Sequence, residues 1–310
     1  MRLLLILTAA VLAVWALLRP LPGADAADAA PVVYMDPEVE WEPESPREGR
    51  LFRIRVLASR HSPLFGVHGS AGGEERHFER LGDLVFESLA PAPVDGDSLL
   101  QASFRVVYAA GGEKRLTTSI PVQAGDYPLE RLTVAPRFGA PPDSADRVRL
   151  EQDREKAATA AARAHRTRRI WDETVVMPRN SVVTGGFGDG RIFNGQLSSR
   201  HMGLDLRGAR GDTVVAATRG VVELVEPFLL AGNVVYLNHG AGLLSAYFHL
   251  SRQLVEVGDT VEAGEPIGLV GATGRVTGPH LHWVVRYGTT SVDPQSLLEV
   301  AGAEAAAARR

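Results

Sequence analysis

Cysteine is absent from all 310 residues. Stability therefore comes from packing rather than from disulfides, and anchoring through a lipid-modified N-terminal cysteine is excluded. An excess of one charge is also missing: 33 Lys and Arg against 37 Asp and Glu leave a net charge of -4. The basic residues are scattered and form no stripe interleaved with aromatics, which gives no case for a nucleic-acid partner. What is there is globular in composition, with 45% hydrophobic and 23% charged residues, and a chain of this length suggests two domains with extras.

Residues 1–30 read as a secretory signal peptide or an N-terminal membrane anchor. Met1 and Arg2 precede an uncharged apolar run at 3–18, L-L-L-I-L-T-A-A-V-L-A-V-W-A-L-L, and small residues at A-x-A spacing follow it. The run is at the long limit for a signal core and slightly short of a comfortable span of ~20 residues. Both readings place the bulk of the chain outside the cytoplasm, in the periplasm or cell envelope.

Residues 31–134 show short alternating apolar segments beginning at Leu51, Leu84, Ser103 and Thr118, with turn signals at Gly72-Gly73, Asp95-Gly96 and Gly111-Gly112. This pattern predicts an antiparallel sandwich of roughly immunoglobulin type. His61, His68 and His77 lie here without ligand spacing and read as surface or partly buried side chains. Residues 135–180 form a Pro-rich boundary, A-P-R-F-G-A-P-P-D, and a helix over about Ala145–Arg168 capped by Asp143 or Ser144. Few large apolar residues mark that helix, so it reads as a half-exposed connector. Residues 181–300 return to glycine-punctuated β segments, and 301–310 read as a tail.

Four of the nine histidines fall in short glycine-flanked motifs: His201 with Asp205 in H-M-G-L-D, His249 in Y-F-H-L, and His280 with His282 in G-P-H-L-H-W. Two neutral imidazoles and one carboxylate make a zinc set that leaves a position open, as in catalytic sites. His280 and His282 are two apart on an expected strand, so both project from one face. The spacing of His201 and Asp205 does not by itself fix their geometry.

This ordered set resembles the M23 family of zinc metallopeptidases, the lysostaphin and LytM-like endopeptidases. The likeness runs from about Thr184 to Leu298 and includes F-G-D-G-R-I-F-N-G and the long run ending G-A-T-G-R-V-T-G-P-H-L-H-W. It implies a mostly β, antiparallel domain of duplicated hybrid motif type with one Zn²⁺ per chain. His201, Asp205 and His282 would hold the metal, and His249 and His280 would flank the reacting water. None of the five departs from the family pattern. No glutamate is placed as in H-E-x-x-H peptidases, and histidine has the unperturbed pKa to act as base instead.

His239, in L-N-H-G-A-G, reads as part of a turn between strands. Tyr247, two before His249, either lines the cleft or packs. The glycines of G-A-T-G-R-V-T-G-P suit a tight turn and close substrate approach, since no G-K-[ST] follows. The function expected is zinc-dependent hydrolysis of peptide cross-links in bacterial peptidoglycan, with D-alanyl-diaminopimelate favoured over a glycine bridge. The alternatives are a non-catalytic LytM-like activator of a wall amidase and a wall-binding module.

Overall fold

A computed structural model describes residues 33–132, 143–172, 174–193 and 196–308. The N-terminal apolar run and residues 135–142 of the Pro-rich boundary lie outside the described residues. The chain divides into Met1–Met35 and Asp36–Arg310. Of the first unit, residues 33–35 are described and carry no regular secondary structure. No helix among the described residues is long and apolar enough to cross a membrane.

In the second unit, alternation of buried and exposed side chains builds the first half. β1 (Glu38–Glu42), β2 (Leu51–Leu57), β3 (Leu64–Ala71), β4 (Glu74–Arg76), β5 (Glu79–Leu81), β6 (Val85–Pro91), β7 (Leu99–Tyr108) and β8 (Glu113–Pro121) form two four-stranded sheets, ordered β1-β2-β6-β5 and β4-β3-β7-β8. In β7 the residues Leu100, Ala102, Phe104, Val106 and Tyr108 are buried while their neighbours are more exposed, the period-2 signature of a half-buried strand. The turns expected at Gly72-Gly73, Asp95-Gly96 and Gly111-Gly112 separate β3 from β4, β6 from β7, and β7 from β8. The buried Arg53 and the half-buried Arg55 both pair with Glu87 of the adjacent strand, which compensates a carboxylate otherwise costly to bury.

β9 (Leu129–Leu132) leads to α1 (Ser144–Arg166). Asp143 caps the helix by accepting from the Asp146 amide at 2.8 Å, as a short acidic side chain at that position does. The helix proves more than a connector. Ala157, Ala160, Ala161 and Ala164 are buried against Phe228, Val234, Tyr236, Leu244, Ala246 and Val284. Alanine carries little apolar surface, which hides this face from a search for large side chains, yet its small size lets the helix lie close to a sheet.

That sheet belongs to the second half, built from β10 (Val183–Gly185), β11 (Gly190–Phe193), β12 (Gln196–Arg200), β13 (Leu204–Arg207), β14 (Thr213–Val215), β15 (Gly220–Phe228), β16 (Gly232–Gly240), β17 (Leu243–Leu250), β18 (Arg252–Gln253), β19 (Thr260–Val261), β20 (Pro266–Leu269), β21 (His280–Tyr287) and β22 (Thr290–Val292). Its main sheet is antiparallel, ordered β10-β13-β21-β17-β16-β15-β19, with β22 added on β21. Two smaller sheets, β14-β20-β18 and β12-β11-β9, flank it, and β9 runs parallel to β11. The fold is mostly β, as expected.

The two halves share a core. One apolar cluster contains Leu51 and Leu89 from the first half together with Trp171, Phe187, Tyr247, Trp283 and Tyr287 from the second. The final helix α2 (Pro294–Ala308) returns to the first half, where Ser296 Oγ accepts from the Leu51 amide at 3.0 Å and Arg50 pairs with Asp293 and Glu299. The expected tail at 301–310 is thus mostly the end of this helix.

Candidate metal centre

Strand register brings the predicted side chains together. β13 pairs antiparallel with β21 so that Asp205 stands opposite His282 and Arg207 opposite His280. Directly opposed residues point to the same face, and His280 and His282 share that face because they are two apart. His201 precedes β13. Its amide donates to the Asp189 carbonyl at 2.8 Å, and its own carbonyl accepts from the Gly188 amide at 2.7 Å. The F-G-D-G segment therefore fixes where the first histidine enters. Gly203, between His201 and Asp205, is required by close approach: a Cβ there would lie 2.5 Å from the Trp283 carbonyl oxygen and 2.8 Å from His282 Nε2.

Each side chain is oriented by a backbone carbonyl or by Asp205. His201 Nδ1 donates to the Gly186 carbonyl at 2.6 Å, which leaves Nε2 free 3.0 Å from both Asp205 Oδ1 and His282 Nδ1. His282 Nδ1 lies 2.8 Å from the same oxygen. These three atoms form one of two groups among the described residues able to hold a metal ion. Ligands 2.0–2.2 Å from a tetrahedral zinc would stand about 3.3 Å apart, so the set fits after a small expansion. His280 Nδ1 donates to Gly278 and His249 Nδ1 to Thr273, both at 2.9 Å, freeing both Nε2 atoms. Fixing one ring nitrogen by a carbonyl decides what the other presents.

His249 reaches the group through an irregularity. Two residues of β17, Phe248 and His249, oppose the single residue Val234 of β16, and His249 has φ 61°. A bulge of this kind re-aims a side chain, and left-handed backbone at a non-glycine residue costs on the order of 1–3 kcal/mol. Simple alternation would give Tyr247 and His249 the same face. Instead Tyr247 is fully buried, while the His249 ring lies 5.0 Å from that of His280 and 5.9 Å from that of His282, centroid to centroid and tilted to both. Of the two expectations for Tyr247, packing is the observed one: its hydroxyl accepts from the Ala217 amide at 2.8 Å, and burial raises its pKa to about 12.

The electrostatics follow burial and pairing. Burial opposes a charge on Asp205, but the hydrogen bonds of His201 and His282 hold its carboxyl well below the usual range. His201 is weakened as a base by burial and raised on balance by Asp205. Burial lowers His282 and pushes His249 down to about 4, so that His249 is neutral near pH 7.

His239 departs from the sequence expectation. It lies inside β16, not in a turn, and is fully buried. Its Nδ1 donates to the Arg219 carbonyl at 2.8 Å, which leaves Nε2 to accept from the Ser245 hydroxyl, also at 2.8 Å. Two neighbours of the site escaped the sequence reading. Phe248 stacks on His282 at 5.4 Å; its place beside His249 in Y-F-H was the available signal. Arg200, next to His201, is held by both carboxylate oxygens of Asp95 at 2.7 and 2.6 Å, a contact across 105 residues that no local pattern announces.

Peptidase family M23 matches residues 199–294, the segment that holds all five side chains. The chain carries a peptidase family M23 domain. Around this M23 domain, 103 residues are 41% identical to the peptidoglycan DD-endopeptidase ShyC of Vibrio cholerae, covering 33% of this chain and 24% of ShyC. Another 39% identity extends over 97 residues of the DD-carboxypeptidase/endopeptidase Mpg of Neisseria meningitidis, 31% of this chain and 22% of Mpg. The matched part thus spans a quarter or less of these curated relatives. A solved candidate peptidase M23 from Pseudomonas aeruginosa has a TM-score of 0.60 over 82% of this chain and 95% of its own, at 22% identity. That likeness is one of fold, and it extends beyond the M23 domain into the first half.

Proposed function

We propose that the chain is a zinc-dependent endopeptidase of the cell envelope that hydrolyses peptide cross-links of peptidoglycan, of the D-alanyl-diaminopimelate type. The observation that carries this reading is the convergence of His201, Asp205, His282, His249 and His280 on one face, with Nδ1 of His201, His249 and His280 each held by a carbonyl and His282 Nδ1 turned to Asp205. A degenerate regulator or a wall-binding module has no need of five such groups. The names of ShyC and Mpg support a bond between two D-centres. The reading of the first half as an immunoglobulin-type sandwich is supported by the sheet orders β1-β2-β6-β5 and β4-β3-β7-β8, which follow the two-sheet connectivity of that class.

His201 Nε2, His282 Nδ1 and Asp205 would hold the zinc, one per catalytic site. When bound, zinc makes its water acidic and polarises the scissile carbonyl. His249 and His280 present Nε2 beside that position; one accepts the proton of the attacking water, and the other hydrogen-bonds the developing oxyanion. Phe248 covers the His282 ring and limits its motion. Digestion of purified sacculi tests the enzyme reading against a purely binding one. After the treated sacculi are cut with a muramidase, the full chain should have converted cross-linked dimers to monomers and its His249→Ala form should have converted few; equal conversion by both would remove the proposed chemistry.

A further inference from the structure

A second cluster of ligand-type side chains lies outside the M23 site and outside the motifs that identify it. We propose that His77, His165 and Glu75 form a separate divalent-cation site, of zinc-like preference, that ties the first half of the protein to helix α1 and the β21–β22 turn. His77 follows β4, His165 lies in the last turn of α1, and Glu75 is on β4. The ligand atoms of these three all lie within 4.8 Å of one another, and His77 Nε2 is 2.8 Å from His165 Nδ1. The nitrogen spacing resembles the 3.0 Å between His201 and His282 in the M23 site. Both pairs need a similar small opening to reach the roughly 3.3 Å of two tetrahedral ligands.

The surroundings add what such a site requires. His165 turns its other nitrogen, Nε2, toward Glu74 Oε2 at 3.3 Å, and Glu74 is held in turn by the Thr289 amide at 2.8 Å and by the Thr289 hydroxyl. A carboxylate beside the far nitrogen is the usual companion of a metal-binding histidine. Gly288 makes this approach possible. It has φ 55°, and a Cβ there would fall 2.4 Å from Glu74 Oε2 and 2.5 Å from His165 Nε2. Glu74 and Glu75 together match the charge of a divalent cation. Arg76, between Glu75 and His77 in sequence, is engaged elsewhere: its guanidinium donates to the Ala71 carbonyl at 2.7 Å and lies over the Tyr287 ring at 4.4 Å. Two imidazole nitrogens and one carboxylate oxygen are a donor set that zinc accepts.

Metal content of the full-length protein after zinc loading and gentle desalting tests this directly. The wild type should hold two equivalents, His282→Ala one, His77→Gln one, and the double variant none. Gln keeps a hydrogen-bonding group beside His165, and Glu75→Ala, on the surface, offers a milder variant that should weaken zinc binding at least tenfold in the His282→Ala background. In that background zinc should also raise the melting temperature, and this shift should vanish with His77→Gln. One equivalent in the wild type, unchanged by His77→Gln or Glu75→Ala, would overturn the site and leave a simple imidazole hydrogen bond; the M23 zinc, lost through His282→Ala, would be unaffected by that result.

Discussion

Under the proposed mechanism His249 and His280, each with Nδ1 tied to a carbonyl, act in proton transfer and charge stabilisation, and the zinc is held by the other three residues. His249→Ala and His280→Ala should keep the zinc content of the wild type and lose about 10²–10⁴ in turnover. His282→Ala should lose one equivalent of zinc relative to the wild type. Near-normal turnover in both single variants would remove the two histidines from the mechanism. His239 supports a different test. Its native pKa is pushed by burial to about 4 from an ordinary 6.5, so between those values the unfolded chain takes up a proton that the native chain refuses. Its contribution is therefore complete above pH 6.5 and declines as pH falls toward 4, by about 3 kcal/mol in all. Urea unfolding at pH 7.5 and pH 5 should show a shallower pH dependence in His239→Gln, and an unchanged slope would contradict the assignment. All five candidate site residues were legible because histidine and aspartate stand out in short motifs. The bulge that aims His249 was not, since it depends on β16 and β17 meeting out of step. The burial of His239 was not either: its partners Arg219, just before β15, and Ser245, on β17, lie on other segments.

At the level of elements, α1 and the strands differ in how much the sequence reveals. Leu51–Leu57 matches an apolar run read directly, and β6 begins one residue after the run that starts at Leu84. β3 was missed because its two glycines break the alternation, and β4 and β5 because three residues are too few to show one. The extent of α1 follows from its helix-favouring composition and its cap. Its packing does not, because four buried alanines look like mere helix formers. This packing changes the outlook for a shortened chain. The Pro-rich boundary and the polar helix suggest halves that fold separately, but a chain begun at Ile170 would lack α1 and uncover Phe228, Tyr236 and Val284. It should be less soluble than the full chain and should melt at a lower temperature. A fragment as stable as the full chain would show that the alanine face contributes nothing.

For the molecule as a whole, the M23 domain does not stand apart. β9 extends the sheet that includes β11, Asp95 holds the arginine beside His201, and α2 is fastened to β2. These contacts join residues 100 or more apart, with the exception of β9 and β11, and so leave no local signature. The motif-bearing segment, by contrast, announced its class. The central claim is that this assembled site hydrolyses a peptide cross-link. Mass spectrometry of a purified D-alanyl-diaminopimelate cross-linked muropeptide dimer incubated with the zinc-loaded full chain tests it most directly. The account predicts two monomers with one water added between them, formation blocked by a chelator and restored by zinc; an intact dimer with fully zinc-loaded protein would contradict it.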